Sequence, residues 1–231
     1  MYSVDFTRLT LDDFSELLKT VELLPGRRRL LNNLDEIFSA IKETGIKNLS
    51  ELQKCLKKKK DYETLSVKFK ADTDYLTILN REINAYKSKE YSLAQLELFT
   101  EEELRHLEAL KIKNTRHYYD ACLKHEDRKA LGEKTAISED KLLKALEYTD
   151  LLRVNGIGIV YAQAIHGMGI KTIQAYENTA SEQILMKFKA YTQKNKDLNI
   201  SIGLKDVDYC RRFIALLDRE IEWEHQPLKD F

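Results

Sequence analysis

Apolar residues recur at helical spacing along most of this chain. In Leu34-Asp35-Glu36-Ile37-Phe38-Ser39-Ala40-Ile41, positions 34, 37, 38 and 41 line one face of a helix. Gly45 suits the left-handed position that ends such a helix. Asn48-Leu49-Ser50-Glu51-Leu52 reopens one, with Asn48 as N-cap and Glu51 three residues on. Thr100-Glu101-Glu102-Glu103-Leu104 predicts another start, its acidic first turn matched to the helix dipole. Ser138 is predicted to cap a helix through Leu142, Leu143, Leu146 and Leu151. The charged run from Asp218 to Gln226 predicts a last helix stopped by Pro227, with Trp223 either sealing the end of the stack, the favoured reading, or anchoring a partner.

The pattern repeats. A constant shift of 66 places Ile46-Lys47-Asn48 on Ile112-Lys113-Asn114, and also Leu65 on Leu131, Lys68 on Lys134, Asp74 on Asp140 and Leu76 on Leu142. A further shift of 58 carries Ile112-Lys113 onto Ile170-Lys171. Three helical copies are expected, over residues 1–90, 91–150 and 151–231. Short helices are marginal alone, so stacked copies would have to bury one another's apolar faces.

Composition narrows the class. Glycine occurs 8 times and proline 2 times in 231 residues, where average usage predicts roughly 16 and 12. So few breakers argue against a β-sandwich, a loop-rich secreted scaffold or a Rossmann enzyme, and for an all-α protein. Lys and Arg number 38 and Asp and Glu 38, giving a net charge of zero. By copy the balances are 17 − 15 = +2, 10 − 13 = −3 and 11 − 10 = +1, so no copy is a strongly basic module. Arg27-Arg28-Arg29 and Lys57-Lys58-Lys59-Lys60 are the dense basic runs, each readable as a solvated face or as part of a nucleic-acid patch. No basic start followed by an apolar run opens the chain, and no apolar run approaches a membrane span. The expectation is a soluble, cytoplasmic protein with no membrane role.

Candidate chemistry is sparse. Cys55, Cys122 and Cys210 form neither a disulfide framework nor a zinc spacing and read as small core residues. The five histidines are scattered, and His166, beside Ile165 and Met168, reads as packed rather than metal-ligating. Asp72/Asp74 and Asp206/Asp208 precede helices and read as caps rather than acid–base pairs. No catalytic signature is present, so neither an enzyme nor a cofactor or metal is expected.

The sharpest local signature is Leu151-Leu152-Arg153-Val154-Asn155-Gly156-Ile157-Gly158-Ile159-Val160-Tyr161-Ala162, continuing to Gly169-Ile170-Lys171-Thr172. Gly156 and Gly158 allow a tight turn, Ile157 plugs between the flanking helices, and Ala162 lets them approach closely. Such a turn either packs the module or presents backbone N–H groups at a helix N-terminus to a phosphate oxygen. At the corresponding places the first copy has Asn32-Asn33-Leu34 and the second Leu98-Phe99-Thr100, without the glycine pair.

With its flanks, from Thr135 to about Leu217, the segment resembles a bacterial family of helix-hairpin-helix repeats of unknown function. The resemblance covers about a third of the chain closely and implies tandem helix-hairpin-helix-like repeats. It also implies double-stranded DNA as partner, bound without regard to sequence. The DNA phosphate-binding residues would then be Arg153, Asn155, Gly156, Ile157, Gly158 and Lys171. The competing expectation is a protein–protein adaptor or scaffold with no nucleic-acid role, in which the basic runs only solubilise.

Overall fold

A computed structural model describes residues 1–198 and 200–223. Among them every regular element is helical, and the only bridges are two isolated ones, Thr10 with Asn48 and Ser92 with Asn114. The chain divides into two compact units, Val4–Lys87 and Met1–Ser3 together with the chain from Ser88 onward.

The first unit contains α1 (Leu11–Thr20), α2 (Leu34–Glu43), α3 (Leu49–Cys55), α4 (Tyr62–Phe69) and α5 (Thr73–Ala85). Short 3₁₀ turns at Pro25–Leu31 and Lys59–Asp61 link them. Leu34, Ile37, Phe38 and Ile41 are all buried, as their spacing predicts. Phe14 of α1 contacts Phe38 at 6.3 Å and meets Tyr86 edge-on at 5.5 Å, joining α1, α2 and the end of α5 in one core.

The second unit contains α6 (Glu101–Ala109), α7 (Thr115–Ala121), α8 (His125–Thr135), α9 (Glu139–Leu152), α10 (Ile159–Gly167), α11 (Ile173–Asn178), α12 (Ser181–Lys194) and α13 (Leu204–Ile214). A 3₁₀ turn at Leu93–Leu96 precedes α6. No helix among the described residues is long and apolar enough to cross a membrane.

Equivalent joints recur in both units. Gly45, Lys111 and Gly169 adopt positive φ of 89°, 65° and 83°, ending α2, α6 and α10. Three residues on, Asn48, Asn114 and Thr172 each accept a backbone N–H and cap α3, α7 and α11. Lys70 and Ala136, 66 positions apart, take the left-handed conformation after α4 and α8. Their side chains gain nothing from it, so the joint is imposed by packing on both sides rather than by local preference.

The first helical amide at these joints also needs an acceptor. The Leu49 N–H reaches Leu9 O at 2.9 Å and the Thr115 N–H reaches Tyr91 O at 2.9 Å. At the third joint a side chain substitutes: the Ile173 N–H donates to Asp150 Oδ2 at 2.9 Å. This places a carboxylate in the core of the second unit and requires a cation beside it.

Other expected caps divide. Thr100 and Glu103 form a reciprocal capping box, Asp72 caps α5, and the Asp206 side chain accepts the Gly203 N–H. Ser138 stands at the N-cap of α9 but its hydroxyl makes no capping bond. The expected helix from Asp218 to Gln226 is corrected over its described part: residues 218–223 are not helical. The Glu222 N–H donates to Leu123 O at 2.8 Å and Arg128 donates to Glu222 O at 2.8 Å. Those external partners take the backbone groups that a helix would have satisfied within itself. Residues 224–231, Pro227 included, lie outside the described residues.

Candidate nucleic-acid interface

α9 and α10 pack against each other across the Val154–Gly158 turn. Ile157 is buried at the joint and Ala162 is fully buried on α10, in the places their sizes suit. Gly156 has φ +98°, and a Cβ there would lie 3.1 Å from Cys210 Sγ and 3.3 Å from the Tyr209 ring. Glycine is needed at this point for both reasons. Gly158 is the N-cap of α10, with φ −93° and ψ 177°. A Cβ there would meet only the Tyr91 hydroxyl, at 3.9 Å, so this glycine keeps the approach open rather than relieving a clash.

The N–H groups of Gly158, Ile159 and Val160 have no acceptor among the described residues. Gly158 and Ile159 are half-buried and Val160 is 43% exposed, so the residues that carry these donors reach the surface. Polar groups gather at the rim. Asn155 Nδ2 donates to the Tyr209 hydroxyl at 3.1 Å. The Lys89 ammonium sits 4.8 Å from the centre of the Tyr91 ring, and Lys89 is exposed. Burial raises the Tyr91 hydroxyl above its ordinary pKa, so it stays a neutral donor near Gly158. The amides and the Tyr91 phenol together offer several donors that could meet an anion, with the Lys89 ammonium over the Tyr91 ring and the Glu90 carboxylate turned to Asn114 and Arg116.

The expected site residues are not all here. Asn155, Gly156, Ile157 and Gly158 form the turn itself, with Ile157 inside as a plug. Arg153 is 1% exposed and points away from solvent. Its Nε donates to Tyr2 O at 3.0 Å, Nη1 to Asp150 Oδ1 at 2.9 Å, and Nη2 to Met1 O at 3.1 Å and Asp218 O at 2.8 Å. The guanidinium also lies 4.4 Å from the centre of the Tyr119 ring. Arg153 is the cation that buried Asp150 requires, so it is unavailable to a phosphate. Burial raises the Asp150 carboxyl above its usual pKa, against the pull of Arg153 and of the Ile173 N–H. Lys171 lies beyond the other end of α10 and pairs with Glu147 at 3.3 Å. His166 is packed as expected, stacked on Tyr148 at 4.5 Å. It also meets Glu147 through Nε2 at 2.6 Å, a partner the sequence did not disclose.

Tyr91 and Tyr209 escape sequence reasoning because they reach the turn from distant segments, and Lys89 because it stands over the Tyr91 ring. The nearby local signal is the Ser92…Gln95 capping pair, in which the Ser92 N–H donates to Gln95 Oε1 at 3.1 Å. It fixes where the chain turns after Tyr91, but not what Tyr91 touches.

The domain of unknown function (DUF4332) matches residues 97–214. The chain belongs to this family. The match covers half the chain, from the start of the α6 region to the end of α13, and so begins well before Thr135. It contains the whole 155–160 turn and Tyr209, while Lys89 and Tyr91 lie outside it. No curated protein and no solved structure matches the chain.

Proposed function

We propose that this protein binds double-stranded DNA without regard to sequence and without catalysis, through a helix-hairpin-helix formed by α9, the Gly156-Ile157-Gly158 turn and α10. The joints shared by the two units support reading the rest of the chain as degenerate copies of the same brick, in which a left-handed residue, an isoleucine and a capping Asn or Thr recur. The observation that carries the proposal is the set of acceptor-less N–H groups at Gly158, Ile159 and Val160, on residues that reach the surface near the Tyr91 hydroxyl. Backbone amides contact phosphate oxygens irrespective of base sequence. A neutral chain can bind in this way because the donors are local and need no global field.

The test is a duplex titration with the Ile159→Pro variant. Ile159 is the first residue of α10 and Gly158 before it is extended, so proline fits and removes one amide without breaking the helix. A hydrogen bond to a charged group contributes about 1.5–3 kcal/mol, so affinity should fall roughly tenfold or more. The slope of log K against log salt should be near −0.9 for each phosphate neutralised. Unchanged affinity in the variant overturns the amide contact, and no duplex binding at low salt overturns the function. Exposed Val160 favours the second reading, an apolar partner protein seated on the same turn. That reading predicts no duplex binding at all.

A further inference from the structure

The face formed by α9, α10 and α12 carries a cluster that the turn does not use. The His166 ring stacks on Tyr148, and Glu147 is held from two sides by His166 and Lys171. Gly167, the last residue of α10, has no side chain, and Tyr191 of α12 lies across it. A Cβ at that position would overlap the Tyr191 hydroxyl and ring. Tyr148 and Tyr191 are both half-buried.

Lysines frame these rings. Lys187 and Lys194 stand four residues before and three after Tyr191, on its side of α12, and Lys144 stands four before Tyr148 on α9. All three are exposed, and none of their ammonium groups has an ion pair or hydrogen bond among the described residues. From Gln183 to Lys196 the chain holds Lys187, Lys189, Lys194 and Lys196 and no acidic residue. Helical spacing disperses these charges among other residue types, so they do not read as a basic run.

We propose that this tyrosine–lysine face is a binding site for single-stranded nucleic acid, with a base stacked on Tyr191 and successive phosphates on Lys187, Lys194 and Lys144. Cations alone would suit an acidic peptide equally well. What favours a nucleic acid strand is their interleaving with half-exposed rings at one helical turn, since stacking platforms flanked by lysines follow the alternation of base and phosphate. The site is separate from the α10 turn, and either can fail without the other.

The test measures fluorescence anisotropy of a labelled thymidine oligomer at low salt with the full chain. Stacking on one aromatic ring contributes enough that Tyr191→Ala should weaken binding roughly tenfold. Tyr191→Phe should keep it within about twofold, since the ring remains. Lys187→Glu with Lys194→Glu should abolish measurable binding, and three contacts predict a slope of log K on log salt of about −2. The same double reversal at Lys57 and Lys60, in the other unit, should leave the oligomer's affinity unchanged. Far-UV circular dichroism of Tyr191→Phe and of the lysine variant checks that α12 is retained. An equal loss from the Lys57/Lys60 variant would show diffuse attraction only and overturn the site. Tighter binding of polyglutamate than of the oligomer would overturn it in favour of an acidic protein partner.

Discussion

Arg153→Met is the most informative single substitution in the second unit. The wild-type guanidinium is buried, pairs with Asp150 at 2.9 Å and donates to three backbone carbonyls, at Tyr2, Met1 and Asp218. Methionine has comparable reach but no donors, so Asp150 would be left buried with only the Ile173 N–H. Removing one partner of a buried pair costs about 3–5 kcal/mol. Adding Asp150→Asn should recover part of that loss, because an amide oxygen can still accept the Ile173 N–H without carrying a charge. Urea unfolding followed by circular dichroism measures both. The pH dependence has a definite sign. Burial already raises the Asp150 pKa, and losing Arg153 raises it further. A carboxyl with a raised folded pKa adds no penalty below its unfolded pKa, and its contribution is lost as pH rises through the folded value. The deficit of Arg153→Met should therefore shrink as pH falls from neutral towards the ordinary carboxylate range. A loss below about 1 kcal/mol, within the spread of surface substitutions, would refute the burial argument. So would a variant of normal stability whose only defect is in duplex binding.

Other consequences can be checked alongside. Burial pushes the Cys122 and Cys210 thiols up to about 12, so at pH 8 only about one part in ten thousand of each is thiolate. Half-buried Cys55 should be the first thiol labelled by a disulfide reagent in the folded chain, with the other two reacting on unfolding. Gly45→Ala should cost about 1 kcal/mol, since only its positive φ opposes a side chain. Gly156→Ala should cost clearly more in the same melts, because it meets Cys210 and Tyr209 as well. Asn114→Ala, which removes the cap of α7, should lower stability by about 1 kcal/mol.

The sequence disclosed local features well. The apolar spacing of 34, 37, 38 and 41, the cap at Asn48, the box at Thr100 and the left-handed Gly45 all depend on neighbours within a few residues, and all are present. Lys111 and Ala136 show where local reasoning ends: both adopt positive φ without a side chain that favours it, because the packed joints dictate the backbone. Arg153 shows the same for chemistry. Beside a glycine turn its charge suggested a phosphate contact, yet its partners at Tyr2 and Asp218 lie 151 and 65 residues away in the chain. The need for it arises from Asp150, whose carboxylate replaces a backbone acceptor that the other two joints possess. The segment after Asp218 departs from its pattern for a related reason: alternating charge fits an exposed helix, but Leu123 and Arg128 supply its backbone partners instead. Tyr91 reaches the turn only through the fold.

The central claim concerns three backbone amides, and amide resonances report on them directly. In a ¹⁵N–¹H correlation spectrum of the full chain titrated with a short duplex at low salt, Gly158, Ile159 and Val160 should show the largest shifts, with Lys89 and Tyr91 moving alongside and Arg153 Nε unmoved. Shifts concentrated on Lys57–Lys60 or Arg27–Arg29, with the 158–160 amides stationary, would contradict it.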